Sequence, residues 1–149
     1  MTPRIAGALY GLAIGDALGA EVEFLTLDTI RHRHPPNGPL QPPGEPAPVT
    51  DDTQMTLAVA EAIIAAPKPL AAATLADALV ATFTAWFNDP ENNRAPESTS
   101  LNSCENLNNG TPWHEAGDVS SKSSGVNMRV APVGLLGLDR VTQSAAAQL

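Results

Sequence analysis

The sequence predicts an all-α protein, and three observations support this fold class. Alternation of apolar and polar residues, which is typical of half-buried strands, is almost absent along the chain. Apolar residues instead recur at three- and four-residue steps, which is the spacing of one helix face. Only 4% of the residues are aromatic while alanine is abundant, and this composition favours helices that pack closely through small side chains.

The first predicted helix covers residues 4–20 and is rich in glycine. Its glycines recur with a strict four-residue period, at Gly7, Gly11, Gly15 and Gly19. On a helix they form one nearly continuous face of small residues. Each costs about 1 kcal/mol relative to alanine, so we expect another backbone to approach this face closely. Asp16 is a lone acid in this helix, and it either meets solvent at the helix edge or points into a site.

The N-terminal segment does not have the pattern of a secretion signal or a membrane span. Arg4 precedes an apolar run that loosely resembles a signal peptide, but Asp16 and the regular glycines interrupt it. The run is also too short to cross a bilayer. The single cysteine, Cys104, excludes an internal disulfide framework and suits a reducing compartment. We therefore expect a cytoplasmic protein without membrane contacts.

Length and charge limit the function classes. The 149 residues suffice for one ordinary core, so one domain is expected. Sixteen acids against eight Lys and Arg give a net charge of −8. A protein that binds nucleic-acid backbones needs a basic surface, and no such stretch occurs. Anionic ligands would need metal ions, helix N-termini or a local arginine.

The segment from residue 31 to residue 107 predicts a long loop and three further helices. Seven prolines between residues 31 and 48 exclude helix or central strand there. Helices are predicted for residues 51–66, 70–87 and, more briefly, 98–107. The second of these has a core stripe, which consists of Leu75, Leu79, Phe83 and Trp86. The chain ends in a polar, alanine-rich run at 142–149 without a capping signal.

A hydroxyl and two adjacent carboxylates stand where the proline-rich loop meets the helix at 51–66. Thr50, Asp51 and Asp52 offer the oxygen ligands that hard cations such as Mg²⁺ and Mn²⁺ prefer. The alternative is structural, because Thr is a preferred N-cap and acids in a first turn complement the helix dipole. The residues alone leave both interpretations open.

Two other segments offer weaker signals. Glu23 follows the glycine-rich helix, and it is ordinary surface unless the fold brings it near Asp51 and Asp52. A Ser/Gly loop then opens a helix near residue 125, where backbone N–H groups and Arg129 could meet an anion. Such loops are common, so this signal is weak alone.

Three blocks in register resemble one family. Residues 11–24, 50–55 and 125–134 are similar, in order and spacing, to the N-terminal half of the ADP-ribosylglycohydrolases, which include the dinitrogenase-reductase-activating glycohydrolases. The resemblance implies an all-α domain with two Mg²⁺ or Mn²⁺ ions in a cleft between helices. It also implies hydrolysis of the bond between ADP-ribose and an acceptor, either a modified protein or a small conjugate.

The resemblance implies roles for particular residues. Thr50, Asp51 and Asp52 match the metal-binding block of the family, and Glu23 matches a glutamate that is catalytic in some members. The residues expected beside the ligand are Ser124, Gly125, Val126, Asn127, Met128 and Arg129.

The resemblance covers only part of a family domain. Residues 1–149 match the N-terminal part of a domain of roughly twice this length, whose C-terminal half carries a second acidic block that completes the metal centre. The alternative is therefore a truncated or fragmentary member without turnover, at most a weak module for metal or ADP-ribose. Apolar helix faces left uncovered would favour self-association.

Overall fold

The structure is a computed structural model that describes residues 2–137, and within that range it contains helices and no strand. The all-α prediction is confirmed. The helices are α1 (Pro3–Ala20), α2 (Leu27–Arg33), α3 (Asp51–Ala65), α4 (Ala72–Phe87), α5 (Ser98–Asn108), α6 (Trp113–Ala116), α7 (Gly125–Arg129) and α8 (Ala131–Gly134). The polar run predicted at 142–149 lies outside the described residues.

Helix α3 is the centre of the fold, with α1, α4, α7 and α8 packed against it. One face of α3 is apolar and fully enclosed, as Met55 and Ala62 show. Its N-terminus also has to satisfy free backbone N–H groups, and Thr50 is the N-cap residue. The same helix thus supports the core along its length and, at its N-terminus, the acidic segment, which consists of Thr50, Asp51 and Asp52.

The core lies between α3 and α4. The predicted stripe on α4 is confirmed, because all four of its members are buried. Trp86 donates its Nε1–H to Gln54 Oε1 at 3.2 Å, which satisfies the polar atom of a core aromatic residue. Asn88 ends α4, as the Asn-Asp-Pro break predicts.

The glycine face of α1 differs from the prediction. A Cβ atom added at Gly7, Gly11, Gly15 or Gly19 would meet nothing within 4 Å among the described residues. The expected close backbone approach is therefore wrong for this part of the chain. Ala17 is the buried residue of α1, and the glycines instead border open space.

Local breaks also differ from the prediction. The short helix α2 was not predicted; Thr26 caps its start by accepting the backbone N–H of Thr29, and its end extends through residues 31–33 of the predicted loop. The region after residue 125 forms two short helices rather than one, and Pro132 stands in the first turn of the second. No helix within residues 2–137 combines the length and hydropathy needed to cross a bilayer.

Candidate functional site

Asp16 joins α1 to the N-terminus of α3. Its Oδ2 accepts the backbone N–H of Thr50 at 2.8 Å and that of Thr53 at 3.2 Å. Both hydroxyls donate to the same carboxylate as well, Thr50 Oγ1 to Oδ1 at 2.6 Å and Thr53 Oγ1 to Oδ2 at 2.5 Å. Of the two possibilities left open for this acid, the structure supports the one in which it points inward. Asp16 caps a helix to which it does not belong.

Thr50 occupies the centre of this junction. While its Oγ1 donates to Asp16, it also accepts the backbone N–H of Asp52 at 3.3 Å. A hydroxyl carries one proton and two lone pairs, so one acceptor position of Thr50 remains after these contacts. Thr50 therefore caps α3, and its side-chain oxygen can still accept one further hydrogen bond or bind a cation.

The two adjacent aspartates have different environments. Asp51 is only 5% exposed, and its Oδ2 accepts the backbone N–H of Glu97 at 3.0 Å. Burial raises the pKa of the Asp51 carboxyl, against the lowering effect of that hydrogen bond and together with the charge of Asp52. Asp52 is half-buried and faces open space. The pair thus offers one fixed and one accessible carboxylate.

Glu23 faces the same acidic segment from the end of α1. The side chain is largely exposed, yet partial burial raises its pKa, and the nearby charges of Asp52, Asp51 and Asp16 raise it further. From the sequence, Glu23 was expected to be ordinary surface unless the fold placed it near Asp51 and Asp52, and the fold does place it there. A carboxyl group with a raised pKa is suited to proton transfer.

Two open depressions flank these carboxylates. The first, of about 660 Å³, lies between the glycine face of α1 and the segment that begins α7. The second, of about 540 Å³, lies between the start of α5 and the loop before α7. Glu23, Asp52, Ser124 and Met128 border both. The acidic group therefore stands on the wall between two depressions, each of ligand size.

The two depressions together form the acidic cleft, and the predicted ligand-binding segment lines it only in part. Ser124 and Met128 line both depressions, Asn127 lines the first and Gly125 the second. Val126 lines neither and is 55% exposed. Arg129 instead lines a smaller cavity of about 110 Å³ between α4 and α5, and it lines neither depression.

Sequence reasoning missed Glu97 and Ser100. Glu97 Oε2 accepts the hydroxyl of Ser100 at 3.1 Å. Although burial acts to raise the pKa of Glu97, hydrogen bonds from Ser123, Ser100 and Thr99 lower it by more, so the net shift is downward. Glu97 lines the second depression. Its only sequence signal is its place before a run of helix-capping residues, which predicts a helix start and no site.

The oxygen atoms of the acidic segment are of the type that binds a hard divalent cation, but there are too few of them to complete its coordination. The available ligand atoms of Thr50, Asp51 and Asp52 are all oxygens, which Mg²⁺ and Mn²⁺ prefer. Within residues 2–137, however, no three His, Cys, Asp or Glu side chains come together in an arrangement that holds a metal ion. Water or other oxygen donors would have to fill the remaining coordination positions.

Comparison with known proteins identifies similar sequences. The model of the ADP-ribosylglycohydrolase family matches residues 2–149. An uncharacterized protein of Archaeoglobus fulgidus is 35% identical over 149 aligned residues, covering 91% of this chain and 44% of that protein. The ADP-ribosyl-[dinitrogen reductase] glycohydrolase of Rhodospirillum rubrum is 41% identical over 66 residues, covering 42% of this chain and 22% of that protein.

A third relative is the ADP-ribosylarginine hydrolase Tri1 of Serratia proteamaculans, 32% identical over 140 residues that cover 89% of this chain and 36% of that protein. The chain thus spans less than half the length of these curated relatives. No solved structure gives a significant match.

Proposed function

Because this chain belongs to the ADP-ribosylglycohydrolase family, we propose that it contributes the acidic cleft of a Mg²⁺-dependent hydrolase that removes ADP-ribose from a modified acceptor. The observation that carries the proposal is that Glu23 lies near Asp51 and Asp52, and that all three residues line the same depression. Glu23 is far from Asp51 and Asp52 in the sequence, and the packing of α1 on α3 brings it close to them.

The acceptor is proposed from the relatives. Two of them are named for ADP-ribosylated dinitrogen reductase and for ADP-ribosylarginine. We therefore propose an ADP-ribosylated protein as the substrate of this cleft, with a small ADP-ribose conjugate as the alternative acceptor class. The two depressions on either side of Asp52 give separate room for the two parts of such a substrate.

Thr50, Asp51 and Asp52 would hold the divalent ions of the proposed site. A bound Mg²⁺ or Mn²⁺ would orient oxygens of the substrate and lower the pKa of a bound water. The protein's own contribution is to fix the ligands beforehand. Asp16 holds Thr50 in place, and the backbone of Glu97 holds Asp51.

Glu23 is proposed as the general acid or base. Cleavage of a glycosidic bond needs a group that moves a proton to the leaving atom or from the attacking water. Partial burial raises the pKa of Glu23, and the charges of Asp52, Asp51 and Asp16 raise it further, although cations bound to Asp51 and Asp52 would offset the effect of those charges. Its exposure leaves it accessible from both depressions.

The replacement Glu23→Gln tests this role. It keeps the shape and removes the proton-transfer function, so we expect turnover of ADP-ribosylated protein to fall by about 100-fold or more. Binding should persist, measured as a rise of the melting temperature with Mg²⁺ and ADP-ribose together. Glu21→Gln is the matched control, because Glu21 lies two residues away and lines neither depression. Equal activity of Glu23→Gln and the control would contradict the role.

A binding module without turnover is the second candidate function. It is favoured by the small number of metal-ligand side chains that come together within residues 2–137. In that case Mg²⁺ and ADP-ribose raise the melting temperature of the 149-residue chain while no ADP-ribose is released. Release of ADP-ribose that depends on Glu23 would exclude this candidate.

A further inference from the structure

Arg129 lines neither of the two depressions beside Asp51 and Asp52. It comes at the end of α7, next to residues that do line them, yet its own side chain lines the smaller cavity between α4 and α5. Its guanidinium carbon lies 5.3 Å from the centre of the Phe83 ring, within the range of a cation–π contact. The part of the chain that the structure describes contains no ion pair of Arg129 with a carboxylate.

Arg129 is half-buried, and a guanidinium that has lost part of its hydration needs other hydrogen-bond partners. Here Nη1 of Arg129 donates to Ser100 Oγ at 3.3 Å. Arginine can only donate, so the hydroxyl proton of Ser100 is free for the other side, where Glu97 Oε2 accepts it at 3.1 Å. Ser100 is 5% exposed. The hydrogen bonds therefore have one fixed direction, from Arg129 through Ser100 to Glu97.

The next contact leads to the acidic segment. The backbone N–H of Glu97 donates to Asp51 Oδ2, so the residue whose side chain accepts from Ser100 also contacts Asp51 through its backbone. Helix α7 is packed closely on this chain of contacts. A Cβ on Gly125 would lie 3.1 Å from Glu97 Oε2 and from the hydroxyls of Ser100 and Ser123. Glycine at this position is thus an independent sign that α7 and the start of α5 must fit tightly.

We propose that Arg129 is a positioning residue, which acts through Ser100 and Glu97 to hold the Asp51 carboxylate at the cleft and does not touch the ligand. The consequence for binding rests on the metal-binding role proposed above. Loss of a group that hydrogen-bonds a metal ligand directly usually changes metal affinity by about 10- to 100-fold, and Ser100 and Arg129 act on Asp51 through such a group, the backbone of Glu97.

The test compares three variants with a matched control in the full chain. Ser100→Ala and Arg129→Met break the connection, and Arg129→Lys keeps the charge. Ser103→Ala is the control, because Ser103 lines the same cavity but donates to the Thr99 carbonyl. Mn²⁺ affinity is measured by electron paramagnetic resonance, and circular dichroism verifies folding. We expect about a tenfold loss or more for the first two, partial recovery with lysine and no loss for the control.

A double-mutant cycle makes the inference testable without metal. The unfolding equilibrium constants of Arg129→Met, Asp51→Asn and the double variant should deviate from independence by about threefold or more. If the wild-type chain binds no Mn²⁺, the proposed metal site fails while this cycle still decides the positioning role. Independent effects in the cycle would overturn the inference, as would Mn²⁺ affinity in Ser100→Ala equal to that of Ser103→Ala.

Discussion

At Asp16, a single carboxylate receives hydrogen bonds from two backbone N–H groups and two hydroxyls at the start of α3. Thr50, the partner that also belongs to the acidic segment, lies 34 positions further along the chain. A local pattern contains no information on such a contact, which explains why the sequence left the direction of Asp16 open. The metal-like triplet at 50–52, by contrast, was visible because its residues are consecutive.

The replacement Asp16→Asn should destabilise the protein by about 1–3 kcal/mol. Asparagine keeps one acceptor oxygen but loses the charge and offers the hydroxyls of Thr50 and Thr53 a competing donor. Urea unfolding measures the loss. Asp77→Asn is the control, since Asp77 is exposed on α4 and surface replacements usually stay within about 0.5 kcal/mol. Equal midpoints for the two variants would show that the four hydrogen bonds contribute nothing net.

At the scale of elements, the long helices were predictable and the short ones were not. Helices α3 and α4 carry continuous apolar faces, so periodicity locates them to within one or two residues. Helix α2 has seven residues and α6 has four, too few for a periodic signal. The two depressions depend on α7, whose start near residue 125 was predicted but whose end at Arg129 was not, and on distant helices coming together, so the depressions themselves could not be derived from the sequence.

The glycines give a test at this scale, because two of them have opposite surroundings. Gly7 in α1 has open space around a new Cβ, whereas Gly125 has three oxygens at 3.1 Å. Gly7→Ala should therefore stabilise the protein by about 0.5–1 kcal/mol through helix propensity. Gly125→Ala should destabilise it by about 1–3 kcal/mol through overpacking. Urea unfolding of both variants checks the signs, and stabilisation by Gly125→Ala would mean that the contact around α7 is loose.

For the whole molecule, the position of α3 couples stability to the site. The face of α3 that packs on α4 buries Met55, while the N-terminus of α3 carries Asp51 and Asp52. Burial raises the pKa of Asp51, so its ionisation opposes folding as the pH rises through that pKa. A well-packed helix compensates for this cost. Charged groups at functional sites are commonly held in this way, at the expense of stability.

The outer face of α1 and α3 leads to a prediction about association. Tyr10 is 68% exposed and Ile64 is 79% exposed. Leu57 lies seven residues before Ile64, about two helical turns away on the same side of α3. It also borders an apolar depression of about 280 Å³ between the two helices. Exposed apolar patches of this kind mark contact surfaces or association, so we expect the 149-residue chain to self-associate as its concentration rises.

Sedimentation velocity tests this expectation. Leu57→Glu and Ile64→Glu place a charge on the apolar face and should shift the chain towards monomer. Val119→Glu is the control, because Val119 is fully exposed in a loop away from these helices and should leave association unchanged. If all three variants sediment like the wild type, another surface mediates any association. If only the first two dissociate, the α1–α3 face is where the chain meets a second copy, and the two depressions beside Asp52 stay open to ligand, because none of their lining residues borders the apolar depression.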